Sequence, residues 1–324
     1  MTTPGAPITN PNVTRSRLVL EIASEMTGGA AADAVPHYVL PKVVLRDSRG
    51  GRPVTLSASS SADGIFAVAA READLAMINP ASVLSVALRG KGIFKRPMPA
   101  RAIAVIPSWD AFVFAVRPET GLVRFEDIAA RRPKLRILMR ATPDHCLHHM
   151  FDDVAAVAGF SRDDIKSWGG EVQKRGSVPW PHTETFKALI RGEVDAIFDE
   201  AASSWVPQAL DASIKILPLA EATVQSLEGM GYRRAVLPRS AYPKLPDDVL
   251  SLDFSGWTVF VHEEAHADLV TAICAALDAR KMCIPWEEPG DLPVERMARE
   301  ALDTPQTVPL HPAAELYWRS RGYL

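Results

Sequence analysis

The chain has 324 residues, 47% of them hydrophobic and 23% charged, with a formal net charge of −3. That length holds one large domain or two lobes of ordinary size, each with its own core. The near-neutral charge without a long basic block argues against nucleic acid and anionic membrane surfaces as partners; the longest apolar stretches, such as residues 111–116, are strand-length and far from the ~20 residues that span a bilayer.

Residues 1–16 form a polar, Pro-containing lead-in. They lack a basic cluster followed by an apolar core and a small-residue cleavage site, so the expectation is a cytoplasmic protein, or a periplasmic one if a signal peptide has been removed. Residues 17–24 then read as a first strand and residues 53–57 as a second, followed by a helix over 62–70. Residues 74–79 read as a third strand, after which Asn79-Pro80-Ala-Ser opens a helix. Two more strands are predicted over 101–106 and 111–116.

In the second half, residues 134–139 read as a strand and 145–158 as a helix. The loop 168–182 is rich in Gly and Pro and reads as irregular. A helix over 186–191 leads to the strand 195–198, and helices follow over 201–210 and 221–230. Residues 257–261 form a late strand and 265–283 a long amphipathic helix. This rhythm predicts an α/β protein with mostly parallel sheets covered by helices. The three cysteines, Cys146, Cys274 and Cys283, show no framework spacing and fit a reducing compartment.

Several segments share an order with one family. They are Ser24-Glu-Met-Thr-Gly-Gly29, Ala69-Ala-Arg-Glu-Ala-Asp-Leu-Ala-Met-Ile-Asn79, Gly121-Leu-Val-Arg-Phe-Glu-Asp-Ile128, Arg191-Gly-Glu-Val-Asp-Ala-Ile-Phe198 and Val308-Pro-Leu-His-Pro-Ala-Ala-Glu-Leu-Tyr317. In that order they resemble the solute receptors of the TAXI branch of TRAP transporters, which have the type II periplasmic-binding-protein fold. The resemblance implies a two-lobed α/β fold, each lobe a mostly parallel sheet flanked by helices, with a ligand cleft between them. Residues 17–108 with 234–324 would make one lobe and 109–233 the other. It also implies binding of a small organic anion, a carboxylate or amino-acid-like molecule, with TRAP membrane subunits as partners only if the protein is exported. Without an export signal two alternatives stand beside this reading. One is a cytoplasmic enzyme on the same fold, a decarboxylase or lyase acting on a small carboxylate. The other is a cytoplasmic ligand sensor.

Candidate site residues lie in loops that follow strands. Glu25, Thr27 and Gly28 follow the first predicted strand; they read as cleft residues or as a plain turn. Ser59 and Ser60 follow the second, where hydroxyls and free N–H groups at a helix start suit an anion or simply cap the helix. Asn79 follows the third as a cap or a ligand donor. Trp109 could stack on a ligand ring or pack a hinge.

The segment 139–149 departs from the family, which has a Gly/Ser-rich loop there. Arg140 could grip a carboxylate bidentately. His145 could donate a proton, with Asp144 orienting it or capping the helix. His145 and His149 share a helix face and could chelate a metal, or simply pack; no Glu lies between them as the zinc-protease pattern requires. Apart from that pair, no cofactor is expected. Cys146 lacks a nucleophile signature. Asp199 and Glu200 precede a helix, as caps, as a site for a cationic group or, for Glu200, as part of an acid/base set. His311, in the Pro-Leu-His-Pro element, reads as structural.

Overall fold

The structure, a computed structural model, describes residues 11–26, 42–45, 53–58, 61–142 and 145–324. The chain begins with α1 (Pro11–Met26), β1 (Lys42–Leu45), β2 (Val54–Ser57), α2 (Asp63–Ala69), β3 (Leu75–Ile78), α3 (Ala81–Leu88) and β4 (Ala100–Ile106). It continues through β5 (Val113–Val116), α4 (Asp127–Arg131), β6 (Arg136–Arg140), α5 (Cys146–Val157), α6 (Arg162–Ser167), β7 (Glu171–Gly176) and α7 (Glu184–Ile190). Then come β8 (Ala196–Asp199), α8 (Ala202–Asp211), β9 (Lys215–Ile216), α9 (Glu221–Met230), β10 (Arg234–Leu237) and β11 (Val249–Leu252). It closes with β12 (Trp257–His262), α10 (Ala267–Ala279) and α11 (Pro312–Ser320).

These elements form two compact units. The first takes in the chain up to Gly90, Phe94–Trp109 and Ser255–Leu324; the second is Lys91–Ile93 with Asp110–Phe254. The second unit thus runs on to Phe254, past the return expected near residue 234, because β10 and β11 pair as a hairpin within it. Each unit is a five-stranded sheet with helices, so the α/β class holds. The sheets are mixed rather than mostly parallel. In the first, of order β1-β2-β3-β12-β4, only β2 and β3 run parallel. In the second, of order β7-β6-β8-β5-β9, β6 is parallel to both neighbours and β5 antiparallel to both of its own.

Residues 17–24 are helix, not the expected first strand. The short apolar run fits either period. What decides it is that Leu18, Val19, Ile22 and Ala23 make one helical face, buried in the core that includes Ile273 and Leu277 of α10. Glu21 is also buried, at 1% exposure, and pairs with Arg17 one turn back and with Arg280 after α10. A buried carboxylate needs such partners, and a strand would have put Glu21 opposite its apolar neighbours. The Gly/Pro-rich segment 168–182 is not wholly irregular either, since it contains β7, added parallel to β6. The helix expected over 265–283 ends earlier, with α10 at Ala279.

The first unit's core is layered from β3, β12 and β4, with Trp257 and Trp318 among its buried residues. The Val308–Tyr317 element docks on β4: Ala102 N–H donates to the Pro309 carbonyl and His311 N–H to the Ala102 carbonyl. His311 then caps α11 by accepting the Ala313 N–H at 3.2 Å, the structural role expected of it. Gly256 opens β12 with φ +74°, and a Cβ there would lie 2.7 Å from Pro305 and Val105 atoms. Only glycine fits that turn.

In the second unit β5 and β8 are buried at every position, as strands covered on both faces are. Phe112 and Phe198 stack at 3.8 Å between ring centroids, and Phe114, Phe125 and Phe151 extend the cluster. Among the described residues, no helix is long and apolar enough to cross a membrane.

Candidate functional site

The second unit's sheet contains a switch point. The chain leaves β6 through α5 and α6 to β7 on one side, then returns through α7 to β8 on the other. Loops at the carboxyl ends of β6 and β8 therefore diverge, which is where open α/β sheets bind ligands. The register pairs Ile137 with Ala196 and Leu138 with Ile197. Two residues further on it brings together Arg140, the last residue of β6, and Asp199, the last of β8.

Arg140 grips Asp199 bidentately, Nε at 3.0 Å and Nη2 at 2.7 Å from Oδ1. Nη2 also pairs with Glu200. The fork that the sequence assigned to a ligand carboxylate is thus largely turned to the protein's own acids, leaving Nη1 facing His145 Nε2 at 3.5 Å. A second Arg–Asp pair, Arg136 with Asp195, clamps the amino ends of the same two strands. That outer pair is half-exposed, whereas Arg140 and Asp199 are 12% and 1% exposed. A clamp alone would account for the inner pair, but not for the further carboxylates around it.

Those carboxylates come from Glu200 and Asp110. Asp110 stands just before β5, and because β5 is antiparallel to β8 its start lies at the carboxyl end of β8. Its carboxylate accepts the N–H groups of Ala111 at 2.7 Å, Ala201 at 2.6 Å and Ala202 at 2.9 Å. It thereby caps α8, the role the sequence gave to Asp199 and Glu200. Ala201 sits at φ 61°, a left-handed conformation costly for a residue with a Cβ and held only by its surroundings. The Trp205 indole donates to the Glu200 carbonyl at 2.8 Å and fixes that turn.

The electrostatics follow from burial. Burial alone would pull the Arg140 guanidinium down, but Asp199 and Glu200 outweigh it and hold it above its usual value. Burial pushes the Asp199 carboxyl up to about 6 even though Arg140 opposes it. Burial, and then the neighbouring Glu200, push Asp110 well above the usual carboxylate range, against the pull of its N–H donors. The phenol of Tyr242 is raised to about 12 by burial and by Asp110. Strong perturbation in a small cluster is a mark of a working site.

His145, not Asp144, is the α5 cap: its Nδ1 accepts the Leu147 N–H at 3.2 Å. In the neutral ring this tautomer leaves the proton on Nε2, the nitrogen facing Arg140. The ring is 3% exposed and lies parallel to Phe254, with centroids 6.4 Å apart.

His148 is a different case. Its Nε2 lies 3.2 Å from the Thr142 carbonyl, and burial with the Lys174 and Arg162 charges pushes its imidazole down to about 4. A depressed histidine pKa contributes stability above the unfolded value of ~6.5 that is lost as pH falls towards 4, up to about 3 kcal/mol. Asp199 works in the opposite sense over an overlapping window, so a global pH–stability curve would blur the two. The expected result is specific: NMR titration shows the His148 ring neutral down to about pH 4, where an ordinary midpoint near 6.5 would refute the assignment.

The other expected residues do not join this cluster. Thr27, Gly28, Ser59, Ser60 and Asp144 lie outside the described residues. Glu25 is exposed on the last turn of α1. Asn79 is buried and donates to the Gly256 carbonyl at 3.2 Å; it does not cap α3. Trp109 is half-buried at the end of a segment of the first unit. Among the described residues, no three His, Cys, Asp or Glu side chains gather as metal ligands, so His145 and His149 find no third partner there. A groove of about 510 Å³ in the first unit, bordered by Gln306, Leu310, Glu315 and Arg319, holds none of the candidates. The site set left out Asp110, Tyr242 and Phe254. Only the position of Asp110 next to a predicted strand could have pointed to it.

Among curated proteins none matches this sequence. Of solved structures, one described as a periplasmic transporter shares 16% identity, covering 99% of this chain and 90% of the other at a TM-score of 0.38. An ancestral arginine-binding protein bound to glutamine shares 15%, covering 85% and 88% at 0.35. An arginine-, lysine- and histidine-binding protein from Geobacillus stearothermophilus shares 10%, covering 67% and 69% at 0.30. The model of the NMT1-like family matches residues 49–322, most of the chain, and the protein belongs to that family.

Proposed function

We propose that this protein is a solute-binding protein whose second unit takes up a small, amino-acid-like molecule at the carboxyl ends of β6 and β8. The observation that carries the reading is the meeting of Arg140, Asp199, Glu200 and His145 at the switch point of the sheet. A ligand carboxylate would address the Nη1 edge of Arg140. A ligand ammonium would address Glu200, since three acids around one guanidinium leave room for a second positive charge. An amino-acid-like ligand answers both; a simple dicarboxylate answers only the first. In this reading the protein stands beside the TAXI receptors, and TRAP membrane subunits are its partners where it is exported.

The test is a thermal-shift screen with amino acids, aliphatic dicarboxylates such as succinate, and aromatic carboxylates such as phthalate. Each hit is recovered and weighed by mass spectrometry. A hit among the amino acids recovered unchanged supports the reading. No stabilisation by any of them would sink it.

One observation favours a second reading, a lyase or decarboxylase. The tautomer of His145 set by the Leu147 N–H puts an Nε2 proton beside Arg140, where it could pass to a carbanion left by a departing carboxylate. A hit recovered lighter by carbon dioxide would establish that reading instead.

A further inference from the structure

We propose that Asp110 and Glu200 share one proton at neutral pH, so that the site holds a carboxylic acid hydrogen-bonded to a carboxylate. The two side chains are hydrogen-bonded to each other. Two ionised carboxylates can only accept, so a hydrogen bond between them requires a proton on one. Like charges held that close do not both ionise, and the proton belongs to the pair rather than to either residue.

The charges around the pair agree. Arg140, from the end of β6, is the cation of the cluster and is already matched by Asp199 at the end of β8. Its remaining attraction goes to Glu200. The N–H groups of Ala201 and Ala202 bring the positive end of α8 to Asp110, worth about half a charge. Tyr242, on the segment before β11, faces Asp110 as a neutral phenol. His145 faces Arg140 rather than the pair. Asp253, bridged through the backbone to Ala111, is matched by Arg233 at 3.5 Å. With both Asp110 and Glu200 ionised the cluster would carry an uncompensated buried charge; one shared proton removes it. Burial raises Asp110 in the same direction.

The pair gives the site a proton to lend that is separate from the one on His145. Asp110 is placed to set how Glu200 titrates rather than to touch a ligand, so it is a positioning residue. The inference uses the same residues as the proposed function but not its ligand, so it stands or falls whatever the ligand screen returns.

The experiment is infrared spectroscopy of the full chain at neutral pH, reading the carbonyl stretch of a protonated carboxylic acid. The wild-type protein should show one such band, shifted in D2O. Asp110→Asn should remove it, because Glu200 then ionises against Arg140. Glu200→Gln should remove it too, because Asp110 then ionises against its three N–H donors. Should Asp110→Asn fail to fold, Glu200→Gln reads the same proton. A wild-type spectrum without the band, or a band that survives either substitution in folded protein, overturns the proposal.

Discussion

Arg140→Ala is expected to destabilise the second unit by about 3–5 kcal/mol, the cost of leaving buried carboxylates without their cation. Asp199 is 1% exposed and takes two of its donors from this guanidinium. Without it, Asp199, Glu200 and Asp110 would face one another with only backbone N–H groups between them. The deficit should shrink as pH falls, because protonation removes the repulsion: carboxyls already raised by burial bind protons more tightly folded than unfolded, so acid favours the folded form until the unfolded chain is protonated too. Arg140→Lys should recover only part of the loss, since an ammonium cannot make the bidentate grip. Urea unfolding at two pH values, followed by a probe in the second unit, measures this. A loss below about 1 kcal/mol would show the acids reaching solvent, and with it the argument for a buried charged site would fail.

Trp318→Ala in the first unit is expected to cost more than about 4 kcal/mol. Truncating a buried aromatic costs about 3–5 kcal/mol, and here a hydrogen bond goes as well. Trp318 is 0% exposed, and its indole donates to the Ile103 carbonyl at 2.8 Å. It packs edge-on against Tyr317 and stacks on Tyr323 at 6.0 Å. Trp318→Phe keeps most of the packing but leaves that carbonyl unpaired, for about 1–3 kcal/mol. If the two variants lose equally in denaturant unfolding, the hydrogen bond rather than the packing holds α11 to β4.

Most elements were legible in the sequence because their signals are local. Residues 74–79, 101–106, 111–116, 195–198 and 257–261 announce strands by apolar runs, and each is observed within a residue or two. The failures come from short segments with no local arbiter. Residues 17–24 fit a helix or a strand equally, and α10 decided between them through Arg280 and Glu21. The strand β7, reading Glu-Val-Gln-Lys-Arg-Gly, has no apolar run at all and exists because β6 offers it an edge.

The candidate site divides the same way. Arg140, His145, Asp199 and Glu200 could be named from sequence because ionisable residues after predicted strands are unusual and stand out. Their arrangement could not. Arg136 with Asp195 and Arg140 with Asp199 are both 59 residues apart, and only strand register turns that spacing into two ion pairs.

The sequence by itself determined the α/β class, the run of helices and strands, and which polar residues fall at strand ends, since propensity, periodicity and capping act over a few residues. Only the tertiary structure decided that Arg140 meets the protein's own acids, that Asp110 rather than Asp199 caps α8, and that two carboxyls come close enough to share a proton. Those outcomes depend on which strands pair and how deeply the ends are buried, and burial is what makes one charge matter to another.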